Sequence, residues 1–185
     1  WVTGREWVQH CLVLHGDSDV GKTALAMAIA SDLSANFGKA HFVKVGSVES
    51  LKNAVRAGHM GRGVAILFDE VAVGRKRGSR DGMSLEEVKH ITEVNNSTSV
   101  EARYENMEIG MDQPRIFTCN GSTPKEWHFQ LPSDVLTTMT DSERKSLSPD
   151  IKAIFKRVCF AHVQSSVVPV SLRQEFHASK RQRAS

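Results

Sequence analysis

No apolar run in the chain approaches the ~20 residues needed to cross a bilayer, and the first residues lack the pattern of a secretory signal. Neither a membrane span nor secretion is therefore expected. Cysteine is scarce. Cys11, Cys119 and Cys159 each stand inside an apolar, strand-like run, without the spacing of a metal site. They are expected to be buried, reduced thiols of a cytosolic or nuclear protein. The eight histidines are scattered, and no pair falls in a zinc motif. Strong charge of either sign is also missing, since a net charge of +3 is too small to demand a polyanionic partner. Internal repeats and long low-complexity segments are absent too. What remains is ordinary: 185 residues, 40% hydrophobic and 24% charged, suit one α/β domain with a small appended element. The chain begins with Trp1 rather than Met, as expected of a piece of a longer polypeptide.

Against this background one segment carries chemistry. Leu12-Val13-Leu14-His15 runs into Gly16-Asp17-Ser18-Asp19-Val20-Gly21-Lys22-Thr23, followed by Ala24 and an Ala-rich stretch. The spacing G-x-x-x-x-G-K-T between a strand and a helix is that of a phosphate-binding loop. Gly16 and Gly21 allow a tight turn that brings backbone N–H groups against phosphate oxygens. The helix that follows contributes its unsatisfied N–H groups and positive dipole end. Lys22 reaches the β/γ-phosphates, and the Thr23 hydroxyl ligates Mg²⁺. Residues Gly16 to Ala24 are thus the candidate contacts for a nucleoside triphosphate.

The rest of the chain reads as alternating strands and helices. Residues 1–10 lead into a strand over Cys11–His15, and a helix follows from Thr23 to about Asn36, closed by Gly38. His41–Val45 is expected as a strand and Val48–Ala57 as a helix with Leu51 and Val55 on one face. Gly58–Gly63 connects it to Val64–Phe68, a continuous apolar run suited to a strand buried on both faces of a parallel sheet. Gly74–Met83 is a polar, basic loop. Ser84-Leu85-Glu86-Glu87 forms a capping box that opens a helix to about Asn95. Ser99–Tyr104 and Met107–Gly110 form a hairpin around Glu105-Asn106. Arg115–Cys119 is a core strand ending at Asn120-Gly121. Ser148-Pro149-Asp150 starts a helix to about Lys156, and Val158–Val163 is the last strand. Residues 11–163 form the domain, and 164–185 are a partly disordered tail.

Asp69-Glu70 stands at the end of the Val64–Phe68 run. Beside a phosphate loop, Asp69 would hold Mg²⁺ and Glu70 would polarise an attacking water. An acidic turn after a strand is the plainer alternative. Asn120, at the end of its strand, suits a contact to the γ-phosphate or the lytic water, because ligands of open α/β sheets lie at the C-terminal strand ends; a turn-forming Asn before Gly competes with it. Arg157 is a candidate for completing a neighbouring subunit's site; Arg144 competes with it, as does a plain surface role for either. Arg75-Lys76-Arg77 with Arg80 form a basic loop and Lys180-Arg181-Arg183 a basic tail. Contact with nucleic acid and simple solvation are both open readings of these runs.

In their order these motifs resemble the superfamily-3 helicases, an AAA+ group, and in particular the ATPase domain of Rep proteins of circular single-stranded DNA viruses. Gly16–Thr23 matches Walker A, Ile66-Leu67-Phe68-Asp69-Glu70 matches Walker B, and Arg115–Asn120 matches motif C. Pro124-Lys125-Glu126-Trp127 resembles the Pro-x-x-Trp that follows it, and Val100–Tyr104 lies where the B′ motif leads into a hairpin. The resemblance covers Cys11 to Val163. It implies an AAA+-like P-loop fold with a central, mostly parallel sheet, flanking helices and a β-hairpin before the sensor strand. It further implies ATP and Mg²⁺ as ligands, hydrolysis between subunits of a ring, usually hexameric, and translocation of single-stranded DNA in the host nucleus. Arg103 is then the best hairpin contact for DNA, although the tip Glu105-Asn106 is not basic, and the arginine finger falls near Arg157. An upstream nicking domain with a catalytic tyrosine is also implied. The single tyrosine, Tyr104, lies in the hairpin, so nicking is not expected of this segment. With no visible base-reading module, DNA would be held through its phosphates and without sequence choice.

Two other classes share the nucleotide residues. An AAA+-type loader or remodeller of proteins uses the same loop, and a module that binds nucleotide only to set its assembly state needs no turnover. Intact Lys22, Thr23, Asp69 and Glu70 argue against the latter. A small-molecule kinase is disfavoured, since Asp69-Glu70 and Asn120 suit attack by water.

Overall fold

The computed structural model describes residues 10–73, 82–94, 98–101, 106–110, 113–120 and 149–164. Its centre is a five-stranded parallel sheet. The strands are β1 (Cys11–Gly16), β2 (Val43–Val45), β3 (Ile66–Asp69), β8 (Arg115–Asn120) and β9 (Val158–His162), in the order β2-β3-β8-β1-β9. The helices are α1 (Lys22–Asn36), α2 (Val48–Arg56), α3 (Leu85–Ile91) and α4 (Pro149–Phe155). Ala72–Val73 (β4) and Gly82–Met83 (β5) form a short parallel pair, and Thr98–Glu101 (β6) with Asn106–Ile109 (β7) form the antiparallel hairpin expected ahead of β8. This is the α/β architecture expected from the sequence, a central parallel sheet with flanking helices and a hairpin ahead of β8. Among the described residues, no helix is long and apolar enough to cross a membrane.

Alternation along the strands divides the apolar residues between two cores. Cys11 and Val13 of β1, Ile66 and Phe68 of β3 and Phe117 and Cys119 of β8 face α2, α3 and α4. Leu12, Leu14, Leu67 and Ile116 face α1. Being buried on both sides is why these strands read as unbroken apolar runs. The Phe68 and Phe117 rings stack with centroids 4.4 Å apart, locking β3 to β8. On the other face α1 presents Ala26, Ala30, Leu33 and Ser34. Small side chains let the helix lie close to the sheet, and the Ala65 N–H donates to Ser34 Oγ at 3.0 Å.

The expected element ends shift where hydrogen bonds decide them. Both capping boxes of α2 and α3 are formed, by Ser47 with Ser50 and by Ser84 with Glu87. However, α3 stops at Ile91 instead of about Asn95. The Arg115 guanidinium takes the carbonyls of Ile91 (2.5 Å) and Glu93 (2.7 Å), so the chain leaves the helix there. Arg115 is fully buried and also donates to Gly110 O at 3.1 Å, tying the end of the hairpin to β8. β2 begins at Val43 rather than His41, and β3 at Ile66 rather than Val64. Cys11 and Cys119 are buried thiols outside any disulfide, as expected, but Cys159, on the edge strand β9, is only partly buried.

The Gly74–Met83 stretch was expected as one loop; its far end instead pairs with Ala72–Val73. Residues 74–81, 102–105, 121–148 and 165–185 lie outside the described set, and with them Arg75, Lys76, Arg77, Arg80, Arg103, Tyr104, Pro124–Trp127, Arg144 and the basic tail.

Candidate nucleotide-binding site

Sheet register brings the sequence motifs to one edge. β1 ends at Gly16, which pairs with Asn120 at the end of β8, and Thr118 of β8 pairs with Asp69 at the end of β3. Gly16 has φ +151°, and a Cβ there would lie 2.4 Å from the Val163 carbonyl oxygen. Glycine is thus needed both for the turn and for the close passage of the chain beyond β9. Gly21, with φ +89°, caps α1 without a side-chain hydrogen bond, and the first turn contains no acidic residue. The opening N–H groups of α1 therefore meet no carboxylate from the helix's own first turn. Lys22 is buried and folds back over the loop, its Nζ donating to Asp17 O at 2.5 Å.

Thr23, at the second position of α1, donates from Oγ1 to Asp69 Oδ1 at 2.8 Å. Thr118 donates to the same oxygen at 2.7 Å, and Lys44 Nζ lies 2.7 Å from Oδ2. Burial pushes the Asp69 carboxyl up, but the bonds from Lys44, Thr118 and Thr23 outweigh it and hold the group below its usual range, as an ionised carboxylate. Alternation explains the meeting: Asp69 and Leu67 lie on the same face of β3, Thr118 and Ile116 on the same face of β8, and both faces look toward α1.

Glu70 follows with φ +53°, an uncommon conformation for a residue with a Cβ. Its N–H bonds Thr118 at both O (3.2 Å) and Oγ1 (3.0 Å). The Asn120 amide donates from Nδ2 to Glu70 Oε1 at 2.9 Å, leaving Oε2 outside that bond. Asn120 is thus engaged with Glu70 through its side chain.

These residues fit a metal–nucleotide complex. Thr23 gives its proton to Asp69, which leaves hydroxyl lone pairs beside a carboxylate; such hard oxygen donors suit Mg²⁺. Among the described residues no cluster of three or more His, Cys, Asp or Glu offers a different metal site. Lys44 and Thr118 escaped the sequence reading. The only signals were a lysine between two buried valines, and a hydroxyl inside the apolar run Ile116–Cys119.

Arg157 is not brought to this edge. It follows α4, and its carbonyl accepts from Cys11 N at the opposite end of β1. Its guanidinium pairs with Glu93 and donates to Lys89 O at 3.0 Å.

No protein-family model matches the chain, and no curated protein matches it. Among solved structures it is similar to one described as the X-ray structure of JCV helicase, at 16% identity and a TM-score of 0.45, over 97% of this chain and 44% of that one. The chain therefore spans less than half the length of that helicase chain.

Proposed function

We propose that the chain is an ATP-hydrolysing motor domain of the superfamily-3, Rep-like helicase type. The observation that carries this reading is the meeting of the Thr23 and Thr118 hydroxyls on Asp69 Oδ1, at 2.8 and 2.7 Å, beside the Lys22 loop, with Glu70 held by Asn120 one residue on. The motif order and the hairpin β6–β7 directly ahead of β8 support the finer assignment.

In this reading the phosphates of ATP lie in the loop from Gly16 to Ala24. Lys22 leaves the Asp17 carbonyl and turns its ammonium to the β/γ-phosphate oxygens. Thr23 and Asp69 would hold Mg²⁺, which would offset the charge of the triphosphate oxygens. Glu70 takes the proton of the attacking water on its carboxylate while Asn120 keeps the side chain in place. Water adds to the γ-phosphorus, the bond to the β-phosphate oxygen breaks, and ADP and phosphate leave.

Single-stranded DNA is the proposed track, Arg103 and the Arg75-Lys76-Arg77 loop are its proposed contacts, and a hexameric ring in the host nucleus is the proposed assembly. The deciding experiment measures ATP hydrolysis with and without single-stranded DNA alongside the oligomer mass. Stimulation by DNA in an assembled ring, lost in Lys22→Ala, is the expected result. Turnover indifferent to DNA but raised by protein would point to a remodeller. Nucleotide binding with no turnover by the assembled form would overturn the enzymatic reading.

A further inference from the structure

Asp69 is held from two sides by different kinds of donor. The hydroxyls of Thr23 and Thr118 pin Oδ1, and both come from well-packed elements. On Oδ2 stands Lys44, at 2.7 Å, from the middle of β2. Val43 and Val45 on either side of it are buried, which turns Lys44 onto the sheet face shared by Leu67 and Asp69. Its side chain is 46% exposed, against 16% for Asp69. The carboxylate is therefore fixed, while the ammonium rides on a flexible four-carbon stem with open solvent beside it.

We propose that Lys44 is a cationic placeholder beside the divalent-metal position: its ammonium neutralises Asp69 from the Oδ2 side in the metal-free site and is displaced toward solvent when the metal–nucleotide complex binds next to Thr23 and Oδ1. The inference rests on the nucleotide-site reading above. An ammonium on one oxygen of a carboxylate repels a divalent cation approaching the other and weakens its attraction to the pair. The divalent ion prevails only when the nucleotide phosphates add their charge to that of Asp69. Lys44 thereby makes metal binding depend on nucleotide and raises the metal concentration that the site requires. A lysine that merely oriented Asp69 would have the opposite effect on removal, because a loosened carboxylate binds metal less well.

The sign of the change is the test. Free Mn²⁺ is followed by electron paramagnetic resonance as it is titrated into the chain saturated with ADP, for the wild type, Lys44→Met and Lys44→Arg, with thermal melting to verify folding. Lys44→Met is expected to lower the half-saturating Mn²⁺ concentration roughly tenfold. Lys44→Arg, which keeps the charge and can pair with both carboxylate oxygens, is expected to leave it unchanged or raise it. An unchanged or higher requirement in a folded Lys44→Met protein overturns the placeholder role while leaving the site itself intact. Absence of Mn²⁺–ADP binding in the wild type, indistinguishable from Lys22→Ala, overturns the nucleotide site and the role of Lys44 together.

Discussion

Thr118 and Asp69 are register neighbours on adjacent parallel strands, and the threonine hydroxyl donates to Asp69 Oδ1 at 2.7 Å while accepting from the Glu70 N–H at 3.0 Å. One hydroxyl thus serves both acidic residues, the carboxylate of the first and the backbone of the second. Thr118→Val keeps the shape and removes this link. Net hydrogen bonds to charged groups are worth about 1.5–3 kcal/mol, so hydrolysis should fall about tenfold to a hundredfold. Nucleotide affinity should change little, because Lys22 and the loop are untouched. Comparing kcat with the binding constant of a fluorescent nucleotide checks this; a loss confined to affinity would contradict it.

Glu70 occupies left-handed backbone space at φ +53°. Such a conformation costs about 1 kcal/mol or more in a residue with a Cβ, and here it aims the carboxylate at Asn120. Glu70→Gly should therefore raise the melting temperature while abolishing hydrolysis, whereas Glu70→Gln should abolish hydrolysis with little effect on stability. Asn120→Ala, which frees the Glu70 side chain, should retain nucleotide binding and lose most turnover. Melting curves paired with phosphate-release assays separate these outcomes.

Burial pushes the Cys11 thiol up to about 12, chiefly by desolvation. A thiol whose folded value is raised favours the native state below the unfolded value of 9.0. That advantage is lost as pH rises from there toward about 12, because the unfolded chain can ionise and the folded one cannot. Unfolding free energy measured in urea should consequently decline above pH 9 in the wild type and decline less in Cys11→Ala. Asp69 acts with the opposite sign. Its lowered value contributes stability above the ordinary 3.8, lost as pH falls through the folded value. Cys11 should also resist thiol reagents at neutral pH until the protein unfolds.

The sheet and the tight Gly16–Gly21 loop were legible because buried parallel strands are written as unbroken apolar runs and the loop needs glycine at fixed places. Leu12–Leu14, Val64–Phe68 and Arg115–Cys119 all became strands or their immediate leads. Thr118 and Lys44 were not legible, since their importance arises from register and side-chain direction across three strands, which no local pattern encodes. The early stop of α3 was hidden for the same reason: Arg115 lies far along the chain from the carbonyls it takes. Gly16 was recognised for its turn, but the passage of the Val163 carbonyl against it required the fold.

Arg157, the candidate finger for a neighbouring subunit, is engaged within its own chain. Its guanidinium pairs with Glu93 and caps Lys89 O, while its backbone anchors the start of β1. The Glu93 carbonyl in turn accepts from buried Arg115, so the two arginines meet on one residue between α3 and β8. A guanidinium so engaged is costly to withdraw, because the partly buried Glu93 carboxylate loses a charge partner, a loss of about 3–5 kcal/mol when a pair is well buried and less at the 26% and 22% exposure found here. Arg157→Ala should lower stability measurably, and Glu93→Ala should lower it by a similar amount, with the double variant no worse than either alone. A finger acting on a neighbouring subunit behaves differently. Mixing Arg157→Ala with Lys22→Ala protein would then restore hydrolysis at interfaces that combine one intact loop with one intact arginine. The pairing with Glu93 leads to the opposite expectation, no recovery at any mixing ratio, and recovered activity would return Arg157 to the catalytic machinery.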